Sequence, residues 1–145
     1  MKCIDQNTTN FCSTGKIPTD LHPWLALDLG TQKAVTKVVV YNRPEWGDDL
    51  RDLEVRISNR MPTTAEEVFT EGSLLGNFDG WAMSGQVITL EQEVAIVGRY
   101  VVVQHNAREI IRWNGKQWAP DNGNPSWTGI MDIAEVKVYI GKLME

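Results

Sequence analysis

The strongest constraint on the fold is an alternation of apolar and polar residues in short runs that are separated by turn residues. Apolar side chains occupy every second position in residues 24–29 (WLALDL), 53–58 (LEVRIS) and 136–141 (VKVYIG). A period of two is typical of strands that bury one face. Residues 38–41 and 100–103 are apolar or aromatic throughout, which predicts interior strands covered on both faces. Many short strands between turn residues predict an all-β chain, an antiparallel β-sandwich of the jelly-roll type.

Length and the scarcity of helical signals support the same fold. The chain has 145 residues, with no internal repeat or low-complexity linker, so residues 1–145 are expected to form a single domain. One short helical signal lies in residues 63–69, where Thr64 and Glu67 have the spacing of a capping box.

Charge and hydropathy exclude several classes of partner. The formal net charge is -5, which argues against a nucleic-acid partner and weakens attraction to anionic membranes. Membrane insertion is not expected, since no apolar run reaches the ~18 residues that a transmembrane helix requires. No apolar leader follows Met1, so we expect either an intracellular protein or a domain of a larger or secreted protein. In an oxidising compartment Cys3 and Cys12 could form a disulfide, and otherwise they would be two free thiols.

Three polar segments rich in Trp, Arg and Asp are the candidate binding loops: residues 42–52, 77–84 and 105–128. Aromatic rings can cover the apolar face of a sugar, while charged and amide groups bond to its hydroxyls. The alternative is structural: the Trp side chains would pack against the sandwich, and Arg43 would pair with Glu45 or Asp48 at the surface. The candidate ligand-binding residues are Arg43, Glu45, Trp46, Asp48, Arg51, Trp81, His105, Arg108 and Trp113.

A second cluster, near the N-terminus, contains oxygen donors suited to calcium. Its members are Asp5, Asn7, Asn10, Ser13 and Thr14. A calcium ion needs six to eight oxygen ligands, and Glu135 with Asp132 could add carboxylates if the last strand lies beside the first. The alternative is that these residues simply form turns.

These features together resemble the discoidin (coagulation factor V/VIII type C) superfamily, and most closely its F-type, fucose-binding lectin branch. The resemblance covers essentially the whole chain and implies a galactose-binding-domain-like β-sandwich. The segments that carry it are, in order, IDQNTTNFCST (4–14), PWLALDLG (23–30), VVVYNR (38–43), LEVRIS (53–58), GRYVVV (98–103) and IAEVKVY (133–139).

The resemblance also implies site residues. For calcium it implies Asp5, Asn7, Ser13 or Thr14, the carbonyl of Ala134 and the carboxylate of Glu135. In the fucose motif only Arg43 matches. The family's His falls on Lys16, so that His22 would have to replace it; its Asp falls on Glu45, and its second basic residue falls on Leu50, next to Arg51.

Two functions are consistent with these residues. The first is a calcium-stabilised carbohydrate-binding, lectin-like module that recognises a glycan or glycoprotein at the cell surface or outside the cell. The second is a discoidin-like interaction or adhesion domain for a protein partner, or less plausibly a lipid head group, with Trp46, Trp81 and Met83 as apolar loop-tip residues. An enzyme is not expected and no catalytic residue is assigned. The sequence shows neither a triad signature nor a recognisable pair of glycosidase carboxylates.

Overall fold

The computed structural model describes residues 24–45, 50–64, 67, 71–105 and 131–141 with their side chains, and the backbone of residues 12–13, 111–113 and 118–120. The strands of these residues are β1 (Cys12–Ser13), β2 (Trp24–Tyr41), β3 (Arg51–Ser58), β4 (Ser73–Trp81), β5 (Val87–His105), β6 (Ile111–Trp113), β7 (Trp118–Pro120), β8 (Asp132–Ile133) and β9 (Glu135–Ile140). No helix in this part of the chain is long and apolar enough to cross a membrane.

All strand pairs are antiparallel, as the alternating pattern predicts. The main sheet has the order β4-β3-β5-β2-β9. The pairs β1-β8 and β6-β7 form two separate two-stranded sheets. β2 and β5 are long, and they pair with each other in two separate stretches. Their first pairing joins residues 24–28 to 100–104 beside β3, and their second joins 33–41 to 87–98 beside β9.

Register irregularities separate the two pairings of these long strands. Residues 29–32 of β2 stand opposite Arg99 alone, and residues 92–95 of β5 stand opposite Thr36 alone. Extra residues on one strand bend it, and strands can pass from one layer of a sandwich to the other at such corners. We therefore describe the fold as a β-sandwich whose layers are joined through β2 and β5.

The core lies between the layers and follows the predicted alternation. Leu27, Leu53, Val55, Ile57 and Val136 are all buried in one apolar cluster, against which Leu25, Leu29 and Val138 pack. The continuous apolar runs are covered on both faces, since Val38, Val39 and Val40 and Val101, Val102 and Val103 are all at most 5% exposed. The predicted interior strands are thus confirmed.

One local feature differs from the sequence pattern, and another agrees with it. In the sequence, residues 24–29 followed by Gly30 look like a strand that ends in a turn. Gly30 has a φ of 86°, yet β2 continues through it. An ion pair holds this bulge: Arg99 donates to both carboxylate oxygens of Asp28 at 2.7 and 2.9 Å, and Gly30 N donates to the same side chain. The capping contact is present, because Glu67 N donates to Thr64 Oγ1 at 3.1 Å.

Candidate functional site

One end of the sandwich collects most of the predicted ligand residues that the structure describes. Three backbone hydrogen bonds join its segments: Ala82 N to Leu50 O, Asn42 N to Gln86 O, and Gly85 N to Arg43 O. These bonds bring the C-terminal end of β2 beside the start of β3 and the turn after β4. We call this region the loop end and define it as residues 41–45, 50–52, 80–86, 104–105 and 131–135.

Asn42 fixes the loop that follows β2. Its side chain is 2% exposed, and its Nδ2 donates to Met83 O at 2.9 Å. Its Oδ1 accepts a bond from Arg43 N at 2.9 Å. Because a buried amide must satisfy both its donor and acceptor, these bonds hold the backbone of Arg43 in place. Sequence reasoning treated Asn42 only as part of a polar loop.

Arg43 pairs with a residue from the far end of the chain. Its Nη1 lies 3.0 Å from Asp132 Oδ2, and the two side chains are only 18% and 5% exposed. A charge-assisted bond in such a protected setting is stronger than a surface ion pair. The ion pair proposed from the sequence was with the neighbouring Glu45 or Asp48. The structure shows Asp132 as a partner; Glu45 is exposed, and Asp48 lies outside the described residues.

Arg51 and Trp81 form an aromatic and cationic pair at the same end. They are opposite one another in the β3–β4 ladder, and the Arg51 guanidinium carbon lies 5.7 Å from the centroid of the Trp81 ring. The Trp81 side chain is half-buried, so part of the ring is still accessible. Such an arrangement orients the ring by a cation–π contact and places donor groups beside it. The structure therefore brings these two predicted ligand residues together.

Asp52 anchors this pair and was not identified from the sequence. It adopts a φ of 44°, which is uncommon for a residue other than glycine. Its Oδ1 accepts a bond from Gly80 N at 2.8 Å, and its Oδ2 lies 3.4 Å from Arg51 Nη1. One carboxylate thus fixes the backbone just before Trp81 and the guanidinium above the ring. Nothing in the sequence distinguishes Asp52 from the acidic residues that precede it, since its positive φ is seen only in the structure.

His105 occupies a different position from the one expected of a surface ligand residue. It stands opposite Leu53 in the ladder and is only 4% exposed. Its neighbour Gln104 is 0% exposed. Direct contact between His105 and a glycan stays a prediction.

The described half of the predicted calcium site contains a buried carboxylate. Glu135 is 2% exposed, and its buried Oε2 has no hydrogen-bond partner among the residues that the structure describes. Nearby, β8 pairs with β1, so that Ser13 stands opposite Asp132. β1 thus lies beside β8, the short strand that precedes β9, whereas β9 itself pairs with β2; the calcium site stays a prediction. Among the residues whose side chains are described, no three His, Cys, Asp or Glu form a group that could hold a metal.

Other predicted site residues lie outside the described part of the chain. These are Asp5, Asn7, Asn10, Thr14, Lys16, His22, Trp46, Asp48 and Arg108, and also Cys3. Only the backbone is described for Cys12, Ser13 and Trp113. The disulfide between Cys3 and Cys12 stays a prediction.

Comparisons with known proteins agree with this architecture. The family model described as NedA-like, galactose-binding domain, of the F5/F8 type C group, matches residues 2–103. A fucolectin from the serum of striped bass (Morone saxatilis) has a similar structure, with a TM-score of 0.67 and 20% identity over 97% of this chain. This chain spans 41% of that fucolectin's length. No protein of curated function matches the sequence significantly.

Two further solved structures resemble the chain over most of their own length. The family 32 carbohydrate-binding module of NanJ from Clostridium perfringens, solved with galactose, has a TM-score of 0.60 and 18% identity, covering 94% of this chain and 81% of the module. The lectin domain of lectinolysin, solved with Lewis B antigen, has a TM-score of 0.59 and 18% identity, covering 97% of this chain and 83% of that domain. At these identities the likeness shows the fold alone.

Proposed function

The chain belongs to the F5/F8 type C family of NedA-like, galactose-binding domains, and on that premise we propose that it is a carbohydrate-binding module whose loop end contacts the sugar. The observation that carries this proposal is the Arg51–Trp81 pair, which Asp52 holds through Arg51 and Gly80 N. A galactose-type ring offers an apolar C–H face to an indole and hydroxyls to the neighbouring guanidinium. The loop end supplies both groups on rigid strand ends.

The class of sugar follows from the family and from the ligands of similar structures. The family description names galactose, the NanJ module was solved with galactose and the lectinolysin domain with Lewis B antigen. A galactose-containing glycan is the preferred ligand, because only Arg43 of the fucose motif matches this sequence. Affinity for one sugar should be weak, on the order of millimolar to micromolar, since few atoms are buried. We place the module outside the cell or at its surface.

Calcium is proposed as a structural ligand of the same module. The residues present fit that ion: Glu135 provides a buried carboxylate whose Oε2 has no partner among the described residues, and the backbone of Ser13 stands opposite Asp132 in the β1–β8 ladder. Asp5, Asn7, Ser13 or Thr14, the Ala134 carbonyl and Glu135 would hold it, which is the hard oxygen set that calcium prefers. The bound ion would neutralise the buried carboxylate and join the N-terminal segment to the last strands.

No reaction is assigned to the module. A glycosidase needs two carboxyl groups placed on either side of a sugar, about 5 to 10 Å apart. At the loop end, Asp52 bonds to Gly80 N and Asp132 to Arg43, so both of these carboxylates have structural contacts. The proposal is therefore recognition without hydrolysis.

A protein partner is the second candidate function, and one observation favours it. Met83 is 73% exposed at the tip of the turn that joins β4 to β5. Exposed methionines adapt to partner surfaces, and Trp and Arg are enriched at the centres of protein interfaces. The same loop end would then contact a protein, with or without its glycans.

A chemical-shift titration tests the sugar site directly. Galactose is added to 15N-labelled protein, and perturbations are expected at residues 43, 51–52 and 80–82. None is expected around Asp28 and Arg99, which pair at the bulge of β2 outside the loop end. Trp81→Ala should weaken galactose binding by about tenfold, the size expected for an aromatic anchor. Val94→Ala is the matched control, since Val94 is 78% exposed outside the loop end. Shifts confined to residues outside the loop end, or an unchanged affinity in Trp81→Ala, would contradict the proposed site.

A further inference from the structure

We infer that Met83 is a specificity-determining residue of the loop end, which contacts the sugar linked to galactose and so favours a galactose-containing disaccharide over free galactose. The inference rests on the proposed function and deepens it by naming an extended ligand. It concerns the ratio of two affinities, so it can fail while galactose binding itself stands.

The first step is that the turn that carries Met83 lies between β3 and the residues that follow β2. Ala82 N donates to Leu50 O at 2.9 Å, directly before β3, and Gly85 N donates to Arg43 O at 2.8 Å. Hydrogen bonds on both sides of Met83 therefore fix this turn between the two parts of the chain that carry the proposed sugar contacts.

The second step is that the backbone of Met83 is held while its side chain points into solvent. Met83 N donates to Gln86 Oε1 at 2.7 Å, and Met83 O accepts bonds from Gln86 N and Asn42 Nδ2, both at 2.9 Å. Gly85 supplies the φ of 72° that the third position of such a turn can require. The side chain of Met83 is nevertheless 73% exposed. A contact made from a fixed turn loses less conformational freedom on binding than one made from a mobile loop.

The third step is the chemistry of the thioether and its reach. Methionine is apolar and adaptable, and its sulfur is only a weak acceptor, so it suits the C–H face of a sugar better than its hydroxyls. Met83 follows Trp81 by two positions, which places their Cα atoms at most about 7 Å apart. If Trp81 covers the galactose ring, the next sugar of the glycan is the group within reach of Met83. Covering roughly 40 Å² of the Met83 side chain corresponds to about a fivefold gain in affinity.

The first experiment measures by NMR titration the affinities for galactose and for lactose, in which galactose is linked to glucose. The wild-type protein should bind lactose about fivefold more tightly, and Met83→Ala should bring the ratio of the two affinities to within about twofold of unity. Met83→Leu should keep most of the preference, because leucine is also large and apolar. Met61→Ala is the matched control, since Met61 is 40% exposed outside the loop end, and it should keep the wild-type ratio.

Two results of this titration would overturn the inference while galactose binding stands: a wild-type ratio within about twofold of unity, or an undiminished ratio in Met83→Ala. If the wild-type protein binds neither sugar, the proposed function fails and the inference falls with it. Exposed Met83 would then belong to the surface for a protein partner.

The second experiment observes the contact itself in protein labelled with 13C at the methionine methyl groups. The resonances of Met83 and Met61 are assigned by their loss in Met83→Leu and Met61→Ala. The Met83 methyl should shift on saturation with lactose and shift much less on saturation with galactose, whereas the Met61 methyl should move with neither sugar. A Met83 methyl that saturating lactose leaves in place would overturn the inference.

Discussion

The buried carboxylate of Glu135 gives the sharpest test of the calcium proposal, because replacing it by Gln should have opposite effects with and without the ion. Glu135 is 2% exposed, and within the described part of the chain its Oε2 lacks a hydrogen-bond partner. A buried polar group left unsatisfied costs about 1–3 kcal/mol, and more when it is charged. Without calcium, Glu135→Gln removes the charge while nearly conserving volume. A neutral amide remains buried at this position, so only the additional cost of the charge is relieved, and the variant should be more stable than the wild-type protein by on the order of 1 kcal/mol.

In saturating calcium the wild-type protein should instead be more stable than Glu135→Gln. A ligand at one hundred times its Kd stabilises the folded state by about 2.7 kcal/mol, and the variant would lose this contribution. For a domain of this size, 1 kcal/mol corresponds to a Tm change of roughly 3–4 °C. Glu135→Gln should thus melt about 3–4 °C above the wild-type protein in chelator and gain nothing in calcium, whereas the wild-type Tm rises by about 8–11 °C.

The assay is thermal unfolding by circular dichroism, in chelator and in saturating calcium. Glu54→Gln is the matched control, because Glu54 is also buried but pairs with Arg56 at 2.8 Å. That variant should be less stable than the wild-type protein in both buffers, with an unaltered calcium shift. A Glu135→Gln protein that is destabilised in chelator, or that keeps the wild-type calcium shift, would refute the reasoning.

Two further predictions concern the fold itself. Hydrogen bonds from Arg99, and then from Gly30 N, hold the pKa of Asp28 at about 2 instead of 3.8. Its stabilising contribution should therefore be complete above pH 3.8 and be lost as the pH falls towards 2. Asp28→Asn should flatten the acid limb of a stability-against-pH curve measured by urea unfolding, and an identical limb would count against the ion pair. Leu53→Ala should cost about 2–5 kcal/mol in the same assay, while Leu74→Ala, at a site 39% exposed, should cost much less; equal costs would contradict the core assignment.

The fold was largely predictable because its strands obey a simple local rule. Leu25, Leu27 and Leu29 alternate along one strand, and the structure directs all three towards the core. The bulge at Gly30 was not predictable, since a glycine after such a run equally suggests that the strand ends. β2 pairs with β5 on both sides of this bulge, and Asp28 contacts Arg99 across it, which depends on which strand lies opposite.

The candidate site was predictable by residue type but not by pairing. Arg51 and Trp81 were both named from polar loops rich in Arg and Trp, and the β3–β4 register places them together. The partner of Arg43 could not be found in the same way, because local charges such as Glu45 looked sufficient. The link to Asp132 arises from the antiparallel topology, which brings residues 89 positions apart into contact. Asp52 was missed because its role lies in a backbone contact with Gly80.

A glycan-array screen of the multimerised chain, in calcium and again in chelator, tests the central claim most directly. Multimerisation is needed because a single weak site gains useful avidity only when several copies bind together. We predict selective binding of galactose-containing glycans, weakened in chelator and lost in a Trp81→Ala multimer. An array that stays blank, with a protein that is folded and melts higher in calcium, would contradict carbohydrate recognition and shift the function of the loop end to a protein partner.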